Sequence, residues 1–349
     1  MPRVSHCGHS VAGGSVNVVK GAQGIARISG LQRCANIWLC AECSARIRAA
    51  RCTEIEQAAN LWTRHHDGAL LFVTLTVAHK AGDDVATLID AVISSWSALT
   101  GSSWWAGDFR ENRPPRLGVK QRYGLAGYVR SIEVTDGPRN GLHAHVHALF
   151  FVDKTPGPDV LEMLGDEIFE KWATHVERRG ARRPDRLHGV DVQLCGDDGK
   201  VLAQYMSKVI NETSVGFEMA RADVKRGRKW RRFTPWELAI AADEGDEWAR
   251  QRFIDYAEAT KGRRAITWSR DLRDVLGMAD EKTDDELLDE IEALDEMIGE
   301  PVLTMTNDEW RALRVVGGGP ELLLDLVEGD RLEVARTLVA AAVAARGRP

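Results

Sequence analysis

The stretch GLHAHVHALFFV, residues 141–152, sets histidines at positions 143, 145 and 147 and then turns wholly apolar. A period of two belongs to a β-strand, in which successive side chains leave on opposite faces. His143, His145 and His147 therefore share one face, each about 7 Å from the next. Leu142, Ala144, Val146 and Ala148 share the other face and are small and apolar enough to pack beneath helices. The chain must build a sheet that is apolar on one side and carries a row of imidazoles on the other.

The preceding segment, GLAGYVRSIEVT, reads as a second strand, and the turn signals of DGPRNG join the two as a hairpin. With so short a turn, Glu133 can lie across from the histidines. Histidine is the commonest metal side-chain ligand, and two imidazoles with one carboxylate oxygen can converge on a divalent ion. The plainer alternative is three half-buried histidines on a solvated sheet face. His145, His147 and Glu133 are the expected ligands, with His143 completing or flanking the shell.

Around this hairpin, ALLFVTLTVAH and HGVDVQLCG read as strands, and DDVATLIDAVISSWSAL, PDVLEMLGDEIFEKWATHVERRG and KVLAQYMSKVINE read as helices. The order β-α-β-β-α-β-α predicts an α+β fold with a central antiparallel sheet flanked by helices. Residues 101–123 are loop-like and basic, with Trp104, Trp105 and Pro114-Pro115. Beyond residue 215 the pattern reads as helical to the end. In KVLAQYMSKVINE, periodicity alone makes Tyr205 a core residue, but it falls at the edge of the apolar stripe, beside Lys208 and Glu212. A phenol there could be a nucleophile, with Lys208 neutralising the anion it must become.

Near the N-terminus, RCANIWLCAECSARIR spaces Cys34, Cys40 and Cys43 as C-x5-C-x2-C ahead of a helical pattern. Three thiolates fill three corners of a tetrahedral zinc site, and Cys7 can supply the fourth, with His6 or His9 as substitutes. A set of unlinked buried thiols is the alternative. Cys52 and Cys195 read as free thiols. The His and carboxylate set suits Mg²⁺ or Mn²⁺ instead, the hard ions that work on phosphate.

Net charge is −6, yet residues 1–235 carry +7 and residues 236–349 carry −13. The basic body fits a nucleic-acid partner, since the local field decides association. RADVKRGRKWRR, residues 221–232, places Lys225, Arg226, Arg228, Lys229, Arg231 and Arg232 around Trp230, a phosphate-tracking surface with a ring able to stack on a base. A solvated helix face would use the same residues. With no bilayer-length apolar run and no leader pattern, the chain is expected to be cytoplasmic, with no membrane partner.

The strand FVTLT (72–76), the strand HAHVH (143–147) and the helix YMSK (205–208) come in the order of the three motifs of HUH endonucleases. GYVRSIEVTDGPRNGLHAHVHALFF resembles the single-tyrosine rolling-circle replication initiators of Gram-positive, chiefly actinobacterial, plasmids. IDYAEATKGRRAITWSRDLRDVLGM (254–278) is similar to the segment C-terminal to the nuclease in those initiators. The resemblance implies an HUH nuclease fold at 65–215. An N-terminal zinc-binding region and helix would occupy 1–64, a basic helical DNA-binding extension 216–280 and an acidic helical tail 281–349. It implies that Tyr205 attacks a phosphate of origin DNA, leaving a 5′-phosphotyrosine and a 3′-hydroxyl primer, and later religates it. Implied partners are double-stranded origin DNA, the single-stranded nick site, and a host helicase and polymerase. Where related initiators keep a glutamate one turn before the tyrosine, this chain has Val201; Glu212, Asp197 and Asp198 are the carboxylates nearby. A mobilisation relaxase or HUH transposase would share the chemistry, and a zinc-dependent DNA-binding regulator would use the histidines structurally.

Overall fold

A computed structural model describes residues 2–21, 24–196, 201, 202, 205, 232–297 and 301–346. Two compact units emerge: residues 48–281, and a second unit formed by residues 1–47 together with 282–349.

The larger unit is organised by a five-stranded antiparallel sheet. Its strands are β3 (Ala69–Thr76), β4 (Leu125–Thr135), β5 (His143–Val152), β6 (Val190–Leu194) and β7 (Ile266–Trp268). They lie in the order β6-β3-β5-β4-β7. The β4–β5 hairpin sets Glu133 opposite His145 and Ser131 opposite His147. On the other side of β5, Thr74 faces His147 and Thr76 faces His145. Leu71, Val73, Leu75, Val146, Ala148 and Phe150 alternate with these and are buried. A strand enclosed on both faces loses water on both, so each large apolar side chain in this layer contributes about 1.5–3 kcal/mol.

Helices cover both faces of this sheet. The helix Val85–Thr100 starts where the Asp84 carboxylate accepts from the Thr87 amide at 2.7 Å. Its Trp96 ring meets Tyr128 and Phe150. The helix Pro158–Arg178 lies on the same side, and its Trp172 donates the indole N–H to the Thr76 carbonyl at 2.9 Å. On the histidine side, Trp62 of the helix Ala41–His65 donates to the Val152 carbonyl at 3.0 Å and meets the Phe151 ring edge-on. The expected α+β architecture with an antiparallel sheet between helices is the one observed. β7 lies in a region that reads as helical from sequence; three residues are too few to show a period of two, and pairing with β4 decides their conformation.

The smaller unit pairs β1 (Val16–Lys20) with β2 (Ala26–Ser29) and with β8 (Pro301–Met305), all antiparallel. Val16 faces Met305, a contact between the two ends of the chain. Helices Asn307–Val315, Gly319–Glu328 and Leu332–Arg346 complete the unit, so its C-terminal part is mainly helical. Its core gathers Val16, Val18, Met305, Trp310, Leu313 and Leu323, and Trp310 donates its indole N–H to the Gly8 carbonyl at 2.8 Å.

Candidate functional site

Strand register brings three donors together. The Nε2 atoms of His145 and His147 both donate to Glu133 Oε2, at 2.7 and 2.8 Å. These three ligand atoms lie within 4.8 Å of one another. An ion with bonds of about 2.1 Å sets neighbouring ligands about 3 Å apart, so the set fits a small divalent cation. The imidazoles are buried and the Glu133 side chain is 15% exposed, leaving a narrow opening at the carboxylate. Burial works against ionisation of Glu133, but the two imidazoles outweigh it and hold the carboxyl well below its usual range.

Each imidazole has a different support. His147 Nδ1 lies 3.1 Å from the Thr74 hydroxyl, which can donate or accept and so can follow either tautomer. The His147 ring also stacks on Phe72, with centroids 5.4 Å apart. His145 Nδ1 is buried and has no hydrogen-bond partner among the described residues. His143 does not join the three-residue group. Its Nδ1 lies 2.7 Å from Nε2 of His79, whose own Nδ1 donates to the Asn140 carbonyl at 2.8 Å. Burial, reinforced by the charges of His145, His79 and Arg232, pushes His143 down to about 3, so it is neutral at pH 7. No local pattern marks Thr74 or His79: Thr74 meets His147 through β3 pairing with β5, and His79 reaches His143 from the segment after β3.

Tyr205 lies on the same side of the sheet. Its ring meets Phe72 edge-on at 5.6 Å, and Phe72 is also the ring beneath His147. Its hydroxyl points to the Val129 carbonyl at 3.5 Å and interacts with Ser131, two residues along β4 from Glu133. The residue is fully buried, and that burial raises its pKa. Its burial is what the periodicity of KVLAQYMSKVINE alone implies for Tyr205. Lys208, Lys225, Arg226, Arg228, Lys229, Trp230 and Arg231 lie outside the described residues. Arg232 is exposed, and its backbone continues into Phe233, which pairs with Asp136 at the start of the hairpin turn.

The second cluster is sulfur. Cys7 Sγ lies 3.4 Å from Cys43 and 3.5 Å from Cys40, and Cys34 lies 3.7 Å from Cys43. A disulfide needs about 2.05 Å, so these are four separate thiols. Four sulfurs around a zinc with bonds of about 2.3 Å stand about 3.8 Å apart, close to the observed spacing. Among the described residues, His6 and His9 stay out of this group, as do Cys52 and Cys195, which form no disulfide.

The fold and its two ligand clusters define an α+β chain equipped to hold metal at two chemically distinct places. Against known proteins, the chain is 31% identical over 347 aligned residues to protein rep of Streptomyces lividans, covering 85% of this chain and 76% of the relative. It is also 34% identical over 145 residues to a neomycin resistance protein of Streptomyces cyanogenus, covering 38% of this chain and 33% of that one. No family model and no solved structure matches. The chain belongs to the family of the Streptomyces lividans protein, the Rep replication initiators of actinobacterial plasmids. Among the described residues, no helix is long and apolar enough to cross a membrane.

Proposed function

We propose that this Rep protein is an HUH-type nickase-ligase that starts rolling-circle replication of a plasmid. The observation that carries the reading is the meeting of Glu133, His145 and His147 on the sheet face that also holds Tyr205. Those three residues would hold Mg²⁺ or Mn²⁺, which when bound supplies Lewis-acid polarisation of a phosphate oxygen at the nick site. Tyr205 attacks the phosphorus, the bond to the 3′ oxygen breaks, and that oxygen takes a proton to become the 3′-hydroxyl primer. One phosphodiester is exchanged for another, so the 5′-phosphotyrosine keeps the energy needed for religation. The hydroxyl must first turn away from the Val129 carbonyl, and a phosphate seated beside Glu133 supplies the reason for it to do so. The four cysteines would hold a structural Zn²⁺, separate from the chemistry. Arg232, beside His143, and the basic run 221–231 would guide single-stranded DNA to the site, while origin duplex is bound elsewhere on the chain.

The test is supercoiled plasmid carrying the origin, incubated with the protein and Mn²⁺. Nicked circles that disappear with His145→Ala while DNA binding persists support the reading. A gel shift on intact DNA would instead identify a zinc-dependent DNA-binding regulator.

A further inference from the structure

Residues 107–118 form a projecting loop between two short helices, Ser103–Ala106 and Val119–Arg122. Its base is fixed to the core. Trp105 is buried against Tyr128 and Phe150, and Gln121 donates to the Ala106 carbonyl at 3.2 Å. The neck is pinched by two glycines. Gly107 has φ +86°, and a Cβ on Gly118 would collide with the Gly107 nitrogen and the Trp105 carbonyl. Just beyond, Asp108 and Arg116 exchange both backbone hydrogen bonds at 2.8 Å. Pro114 and Pro115 stiffen the far end.

The side chains on this loop are unusual for a solvated turn. Phe109 and Leu117 are each 55% exposed, although both flank the fixed neck. Arg110 is paired with Asp108, but Arg113 and Arg116 make no ion pair among the described residues. Exposed apolar side chains set among exposed arginines, of which Arg110 and Arg116 also act on Asp108, match the combination with which proteins grip phosphates and wedge a base step. The loop leads through Val119–Arg122 to Leu125 of β4, and Glu133 lies at the other end of that strand. At about 3.3 Å per residue the two ends are about 26 Å apart. Trp105 packs on Tyr128 and Phe150, on the sheet face away from the histidines, so the loop is separated from the Glu133 site both along the strand and by face.

We propose that loop 107–118 is a duplex-DNA contact, with Arg113 and Arg116 on phosphates and Phe109 against a base step of the origin duplex away from the nick site. This deepens the proposed function and rests on its DNA-acting reading. The experiment measures affinity of the full chain for a duplex containing the plasmid origin, as a function of salt. Each lost phosphate contact removes about 0.9 from the slope of log affinity against log salt. Arg113→Ala with Arg116→Ala should therefore flatten the slope by about 1.8 and weaken binding about tenfold or more near 0.15 M salt. Phe109→Ser should weaken binding about tenfold with the slope unchanged. All three side chains are exposed, so melting temperatures should match the wild type. Wild-type binding with unaltered variants overturns the loop proposal alone. A wild-type protein that binds no origin duplex overturns the DNA-acting reading and the loop with it.

Discussion

Cys7, Cys34, Cys40 and Cys43 come from loops and the first turn of a helix, whereas Glu133, His145 and His147 come from two hydrogen-bonded strands. The difference lies in what holds the ligands in place. Strand register fixes the carboxylate and imidazoles whether or not an ion is bound, since Glu133 faces His145 across a sheet buried on both sides. The sulfurs come from loops and a helix turn, and a zinc bound by all four would hold them together. Donor number differs too. Four thiolates close a tetrahedron, while three N and O donors leave open positions on a hard cation for a phosphate oxygen. On the proposed function, one cluster would support folding and the other chemistry.

The sharpest way to break that contrast is to remove each metal in turn. Stripping zinc, or Cys43→Ser, should cost the smaller unit several kcal/mol, because binding and folding of such sites are one equilibrium. Calorimetry would show a lost or strongly lowered transition; an unchanged melt would mean that the sulfurs are ordinary buried thiols. His145→Ala should do the reverse. Nicking should fall by a factor of about 100 or more while unfolding free energy changes by about 1–2 kcal/mol. A smaller effect is expected from Thr74→Val, which removes the hydroxyl at His147 Nδ1 and should weaken Mn²⁺ binding about 10–100-fold, read by titration calorimetry. The smallest concerns thiol reactivity. Burial pushes Cys52 up to about 12, whereas hydrogen bonds from Cys34 and Cys40 hold Cys7 down, so after chelation at pH 8 an alkylating reagent should label Cys7 well ahead of Cys52. Equal labelling of Cys52 would show that the helix Ala41–His65 opens along with the zinc cluster.

The histidine strand was legible because alternation is a local property, and Glu133 followed because a short turn fixes hairpin register. The cysteine group was legible from spacing, with Cys7 supplied by the need for a fourth ligand. Contacts made at long range were not. β1 pairs with β8 across almost the whole chain, and neither short strand carries a distinctive period. Thr74 supports the imidazole row through β3 pairing, and His79 supports it from the segment beyond that strand. Tyr205 was legible as a core residue from the apolar period of its segment, but its contact with Phe72, which also stacks on His147, was not, because that contact is made at long range.

The proposed cooperation of the cation site and Tyr205 on DNA is tested most directly by finding where a nucleotide becomes attached. After incubation of the wild-type protein with single-stranded origin DNA and Mn²⁺, nuclease and protease digestion followed by mass spectrometry would locate any covalent nucleotide among the four tyrosines, Tyr123, Tyr128, Tyr205 and Tyr256. A 5′-linked nucleotide is expected on the peptide containing Tyr205, absent when Mn²⁺ is withheld. An adduct on another tyrosine, or cleaved DNA with no adduct, would contradict that cooperation.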